Sequence, residues 1–277
     1  MNTYKSSFFS SKIRWCFSCL LFLVFMVFYS CSDSSNDIAP DVDSNDDEEV
    51  VVPIYELNLR IHIMKDIIML HPTGISMDSW VTANDVREII IPEMNAIWSQ
   101  AKIKWVIESI IEEDVVKNDT YQETINYIIN CGRNSDGESD PARLPLLYSL
   151  MQPQYRSKPD ELGKNLFHIY LFPFIGNTSQ GNAMTGGFNG HCVLGTWSNK
   201  HNGGGIPEKT LLTEYHNEFV RGSLSRTASH ELGHVLKLNH NECPYDCLMS
   251  GGSEGYSLTK AQIEIARLEA LERILKR

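Results

Sequence analysis

Positive charge is scarce in this sequence: 24 Lys and Arg stand against 35 Asp and Glu in 277 residues, for a formal net charge of −11. That balance argues against nucleic acid as a partner, because a phosphate backbone is held by clustered cations. Long apolar runs are lacking as well. The predominantly apolar run from Cys16 to Tyr29 is too short for a comfortable membrane span, and with Lys5, Lys12 and Arg14 ahead of it residues 1–30 read as a signal peptide. Internal repeats and a second linker are also missing. The roughly 225 residues from Pro53 onward are therefore expected to form one domain, 53–277, with a substantial core.

Cysteine is sparse, and its placement is informative. Of seven, Cys16 and Cys19 leave with the signal peptide. Cys31 follows Phe28-Tyr29-Ser30 at the end of the apolar run, which resembles a bacterial lipoprotein cleavage site in the loose form of Bacteroidetes lipoproteins. The resemblance implies an exported outer-membrane lipoprotein held by a lipid on Cys31. Residues 31–52 then form a disordered tether, since eight acidic residues from Asp33 to Glu49 and no basic one cannot build a core. An acidic stretch in that place also resembles the surface-export signal of such lipoproteins. The signal peptide carries +3 and the tether −8, which leaves about −6 for residues 51–277. Cys131, Cys192, Cys243 and Cys247 remain, an even number in an oxidising compartment. Pairing Cys243 with Cys247 is preferred because they flank one short loop, which leaves Cys131 for Cys192.

The body opens on Tyr55 to Met64, where Tyr55, Leu57, Leu59, Ile61 and Ile63 alternate with polar residues and predict a half-buried strand. Val86, Ile90, Met94, Ile97, Trp98 and Ala101 fall on one face of a long helix that Pro92 should bend or split. Ile103 to Ile110 reads as a second strand. Residues 120–156 read as one or two helices around a polar loop. Leu166 to Ile175 is apolar enough for a central strand, in which His168 is expected as a packed core residue. His191, His201 and His216 are read as solvated. Thr210 to Tyr215 is a candidate short strand. Thr259 should cap a last helix, Lys260 to Lys276, with Ile263, Ala266, Leu268, Leu271 and Ile274 on its apolar side.

The chemistry concentrates in Ser229 to His240. Ala228, Leu232, Val235 and Leu236 recur at helical spacing, with Ser223 or Ser225 available as N-cap. On that helix His230 and His234 lie one turn apart on the same face, close enough to bind one zinc ion, with Glu231 beside it. His240 lies six residues further, about 600° round a continuing helix and so about 240° away from the metal. The helix must therefore end before His240 if that residue is to be a third ligand.

The pattern H-E-x-x-H-x-x-K-x-x-H resembles the zinc helix of the metzincin metallopeptidases, and Cys247-Leu248-Met249-Ser250 resembles their methionine turn. Asn95 to Trp105 is similar to the metzincin helix running into its second strand. Around His240 to Met249 the sequence resembles archaemetzincins, whose corresponding cysteines bind a second zinc with a later C-x-x-C that is absent here. The resemblance implies an α+β, zincin-like fold: a mixed twisted sheet, an active-site helix, and a small C-terminal subdomain ending in a helix. It further implies one catalytic Zn2+ on His230, His234 and His240, Glu231 as general base of an endopeptidase, and Met249 as a structural base below the metal. Ala183, Met184, Thr185 and Gly186 would belong to an edge strand to which an extended peptide or protein substrate adds. A monomer is expected.

Lys237 departs from the family pattern, which has glycine there to take a left-handed conformation. Another L-residue adopts it at a cost of about 1–2 kcal/mol. Either Lys237 bears that strain or Asn239 makes the turn. Two alternatives stand beside the peptidase: Glu254 as third ligand, and a non-catalytic surface binding module whose zinc site is degenerate at Lys237. Tyr256 is a further residue that would face the cleft.

Overall fold

The alternation that opens the domain becomes strand β1, Tyr55–Lys65. The computed structural model describes residues 52–129, 143–161, 163–176, 181–183, 190–199, 205–210, 223–240, 243, 247–251 and 255–276, all within one compact unit, Val50–Arg277. The expected signal peptide, Cys31 and all of the expected tether except Val52 lie outside these residues. After β1 come a short hairpin, β2 (Ile68–Leu70) and β3 (Ser76–Asp78), and a helical passage of α1 (Ala83–Asp85), a π segment (Val86–Ile90) and α2 (Ile91–Trp98). Pro92 falls in the first turn of α2. In a regular helix its ring collides with the carbonyl four residues back, and the wider π turn ahead of it accommodates that contact.

Strand β4 (Ile103–Asp114), helices α3 (Tyr121–Ile129) and α4 (Arg143–Ser149), and strands β5 (Phe167–Phe172), β6 (Gly181–Ala183) and β7 (His191–Gly195) follow. Two-residue strands β8 (Trp197–Ser198) and β9 (Glu208–Lys209) pair with each other. Of the strand expected from Thr210 to Tyr215 only Thr210 is described, directly after β9, and residues 211–222 lie outside the described set. Helices α5 (Leu224–Val235) and α6 (Lys260–Leu275) end the chain.

The main sheet runs β4-β1-β5-β7-β6. Its first four strands are parallel, and β6 pairs antiparallel with β7 at the edge. One face presents Leu57, Leu59, Ile61, Trp105, Phe167 and Leu194 to Met94 and Trp98 of α2 and to Ala228 and Leu232 of α5. Trp98, Trp105 and Phe167 stack edge to face, with centroids 6.0 and 5.2 Å apart. The other face presents Met64, Tyr170, Phe172 and Val193 to Ile125 and Ile128 of α3 and Leu147 of α4. This second cover corrects the half-buried reading of β1. Parallel strands are covered on both sides, so His62 and Met64 are buried although alternation assigned them outward.

That second layer holds a polar seam. His62, His168, Tyr170 and His191 stack nearly parallel across β1, β5 and β7, with neighbouring centroids as close as 4.5 Å. Their polar atoms are taken up locally: His62 Nδ1 meets Glu113 Oε1 at 3.1 Å, His168 Nε2 meets Ser157 Oγ at 2.9 Å, and His191 Nδ1 meets the Tyr170 hydroxyl at 3.1 Å. His168 is the core histidine expected. His191 is not solvated, because β7 carries it into this stack.

Helix α6 seats only part of its predicted apolar side: Ala266 is buried and Ile263 and Ile274 pack against the core, but Leu268 and Leu271 do not. Thr259 caps it as predicted, in a capping box with Gln262. Its buried residues are Gln262, Ala266, Glu269, Ala270 and Arg273, whereas Leu268 is 69% exposed and Leu271 is also exposed. Glu269 and Arg273 form an ion pair at 2.8 Å, and the Arg273 guanidinium lies over the Phe167 ring. Polar partners supplied by the fold decide the orientation against the apolar stripe.

Burial lowers the pKa of His62, pushes His168 well below the usual imidazole range, and brings His191 to about 3. The unfolded chain binds protons that the folded chain refuses, so stability is complete above pH 6.5 and falls as pH drops from there toward about 3. His191 should cost about 1.4 kcal/mol per pH unit within that window, and His62 and His168 add to the loss in the same direction. The urea midpoint is expected to fall steadily from pH 7 to pH 5; a flat midpoint would contradict buried neutral histidines.

Candidate metal centre

Ser223 starts α5 by accepting a hydrogen bond from Arg226 N at 3.2 Å, while Ser225, the other candidate cap, is buried inside the helix. The helix then places His230 and His234 one turn apart, and it stops where the third histidine requires. Leu238 N donates to Gly233 O at 2.9 Å and Lys237 N to His234 O at 3.0 Å, a Schellman closure with Lys237 in its left-handed position at φ +65°. Of the two residues that were left to make the turn, Lys237 makes it. Asn239 has no positive φ.

The closure brings His240 back across the helix end. Its Nε2 lies 3.1 Å from His230 Nε2 and 3.0 Å from His234 Nε2. His230 Nδ1 lies 2.7 Å from Leu248 O, and His234 Nδ1 lies 2.9 Å from Leu238 O. A carbonyl only accepts, so both Nδ1 atoms carry the protons and both Nε2 lone pairs point at His240. Converging lone pairs repel unless a cation lies among them. Nitrogens about 3.3 Å apart are what a tetrahedral zinc with bonds of about 2.0–2.1 Å requires. Among the described residues these three form the group of histidine, cysteine or carboxylate side chains able to hold a metal. Burial lowers His234 and brings His230 to about 3, so both are neutral, as a ligand must be.

The turn that carries Met249 packs against the same helix. A Cβ at Gly233 would sit 2.5 Å from Met249 Sδ, so this glycine serves close approach and not backbone freedom. Met249 itself is fully buried. Arg226, one turn before His230, is buried and donates from Nη2 to Leu248 O (2.7 Å) and Ser250 O (3.3 Å), and from Nε to Gly255 O (2.9 Å). Burial brings its pKa down to about 10, which leaves it charged at neutral pH. Cys243 and Cys247 form the preferred disulfide, with Cα atoms 5.7 Å apart. Of the second expected pair, Cys192 is buried in β7 and Cys131 lies outside the described residues.

Glu231 is buried against β6. A Cβ on Gly181 would lie 2.5 Å from Glu231 Cγ and 2.6 Å from its Oε1. The edge strand thus passes within contact of the carboxylate, and Ala183 follows two residues on, paired with Cys192. Met184, Thr185 and Gly186 lie outside the described residues, as do Glu254, His201 and His216. Tyr256 is exposed, and its carbonyl accepts from Gln100 Nε2 at 3.0 Å. Sequence reasoning placed Gly181 in an edge strand whose glycines allow close backbone approach, but did not single out Arg226 or Gly233. The only available signal was a glycine inside a helix, at Gly233, where none is needed for conformation.

Gly233→Ala should destabilise the protein. Helix propensity favours alanine by about 1 kcal/mol, but overpacking against the sulfur costs about 1–3 kcal/mol. A thermal midpoint below that of the parent is the expected result, and the loss in the Gly233→Ala, Met249→Ala double variant should be smaller than the sum of the two single losses. A midpoint equal to the parent would contradict the contact.

No family model and no curated protein matches the sequence. Among solved structures the chain is similar, at 12% identity and a TM-score of 0.41, to a chain from the structure of a chaperone–substrate complex. The match covers 82% of this chain and spans 40% of the length of that one. It is also similar, at 12% identity and a TM-score of 0.38, to a zinc-dependent peptidase from Methanocorpusculum labreanum (strain Z), over 76% of this chain and 99% of that one.

Proposed function

We propose that this chain is a zinc-dependent endopeptidase of the metzincin type that cleaves peptide bonds of extracellular or surface proteins. The observation that carries the reading is the convergence of three imidazole Nε2 atoms, within 3.1 Å of one another along two sides, beside a buried carboxylate at an edge strand. His230, His234 and His240 would hold one zinc ion. When bound, zinc polarises a carbonyl and lowers the pKa of a water to about 7.

The chain's own residues account for the remaining work. The antiparallel edge β6 offers backbone hydrogen bonds to an extended peptide. Gly181 lets that strand run directly over Glu231, which brings a substrate backbone next to the base. Glu231 accepts a proton from the attacking water and returns it to the departing amine. Leu248 O and Leu238 O keep the imidazoles in the tautomer that leaves Nε2 free to ligate. In the same reading, a lipid on Cys31 and the acidic tether hold the domain at the outer membrane.

The alternative of a degenerate binding module drew its support from Lys237, and the three nitrogens converge with Lys237 in the turn. Glu231→Ala should bind zinc normally and lose about 10²–10⁴-fold in turnover of a peptide library or an unfolded protein. Retained turnover with intact folding would sink the assignment. Gly181→Ala should also keep zinc, because it touches no ligand, and lose turnover by displacing the carboxylate. Equal turnover to the parent would remove β6 from the site.

A further inference from the structure

The third ligand stands on an exposed stretch. Between the end of α5 and His240, Leu236 and Leu238 are buried, whereas Lys237, Asn239 and His240 are exposed. The turn at Lys237 has the conformation that glycine adopts freely and lysine resists. A contact outside the turn can offset that cost, and the side chain of Lys237 makes one. Its ammonium lies 2.5 Å from Glu269 Oε2 and 3.6 Å from Glu272 Oε2, both on α6.

Glu269 is a fixed point. Its side chain is 3% exposed, and its other oxygen is held at 2.8 Å by Arg273 Nε, itself buried over the ring of Phe167 in the central strand β5. A continuous series of contacts therefore runs from the middle of the sheet through Arg273 and Glu269 to Lys237. From Lys237 it is three residues to His240. A surface ion pair between two mobile side chains contributes little, but here one partner is immobilised, so ordering entropy is lost mainly at the lysine.

We propose that Lys237 is a positioning residue: its ion pair with Glu269 holds the left-handed turn that delivers His240 to His230 and His234. The inference rests on the reading of those histidines as a zinc site. A glycine would form the turn without strain but leave it untied to α6. A lysine carries the strain and gains the tie, so the residue that departs from the family pattern preserves the ligand geometry by a nonlocal contact.

The test uses the full chain and compares Lys237→Met, Lys237→Gly, Lys237→Arg and Glu269→Gln. Zinc affinity is read by chelator competition, and the ligand field by the visible absorption of the cobalt(II)-loaded protein. Lys237→Met and Glu269→Gln should each weaken zinc binding about tenfold and alter the cobalt spectrum, and the double variant should be no worse than either. Lys237→Arg should restore both readouts to within about twofold. Lys237→Gly should bind more weakly than the parent despite its relaxed turn. A tie that matters only for stability would lower the thermal midpoint and leave affinity and spectrum of the folded protein unchanged, which overturns the proposal. So does Lys237→Gly binding as tightly as the parent. Should Lys237→Met fail to fold, Lys237→Arg and Glu269→Gln carry the same comparison. A parent chain that binds no zinc would overturn the metal reading, and the tie with it; a parent that binds zinc with all variants equal to it overturns the tie alone.

Discussion

The carbonyl oxygen of Leu248 accepts two hydrogen bonds, from Arg226 Nη2 and from His230 Nδ1, each at 2.7 Å. The candidate metal centre depends on that shared acceptor. It fixes the tautomer of His230, and it locks the turn that carries Met249 to the helix that carries two of the three imidazoles. Arg226 extends the lock to Ser250 and Gly255, so a single buried guanidinium holds three carbonyls that a loop would otherwise turn to water. A buried cation is costly unless its protons are satisfied. Here the acceptors are backbone groups that also need donors, and each side removes the other's penalty.

Close approach is the second constraint. Gly233 and Gly181 both have ordinary backbone angles, and both stand where a methyl group would meet another atom at 2.5 Å. One lets the sulfur of Met249 lie under the helix, and the other lets the edge strand lie over Glu231. The candidate site is therefore compressed from two directions around α5, between the turn that carries Met249 and the edge strand over Glu231. A close-packed site holds its geometry because no neighbour has room to yield.

The local features were legible in the sequence. Periodicity located β1, β4 and α5. The spacing of His230, His234 and His240, with helical geometry, required a helix end between the second and third, and the chain supplies it at Lys237. Short loop length paired Cys243 with Cys247, and Thr259 with Gln262 marked the start of α6. What was not legible depends on partners distant in sequence. Leu268 and Leu271 of α6 look like core and are exposed, because Glu269 and Arg273 find each other, Lys237 and Phe167 on the opposite side. His62 and His191 look like surface and are buried, because α3 and α4 cover a sheet face that alternation had assigned to solvent. The role of Arg226 could not be read either, since its three acceptors lie 22 to 29 residues away.

Lys237 shows how local and distant determinants are weighed against each other. Taken alone, the turn disfavours lysine by about 1–2 kcal/mol, which is a sizeable fraction of the stability of an ordinary domain. The ion pair to Glu269 acts on the folded state only, so it offsets that cost without altering the preferences of the unfolded chain. A consequence follows for how the parts of the molecule are coupled. Whatever seats α6 against β5 also favours the turn, and a cation that draws His240 inward favours the turn from the other side. Two influences that stabilise the same conformation must reinforce each other reciprocally. On the proposed reading of the three histidines, the closing helix, distant from them in sequence, would belong to the framework that holds them, with Lys237 as the joint.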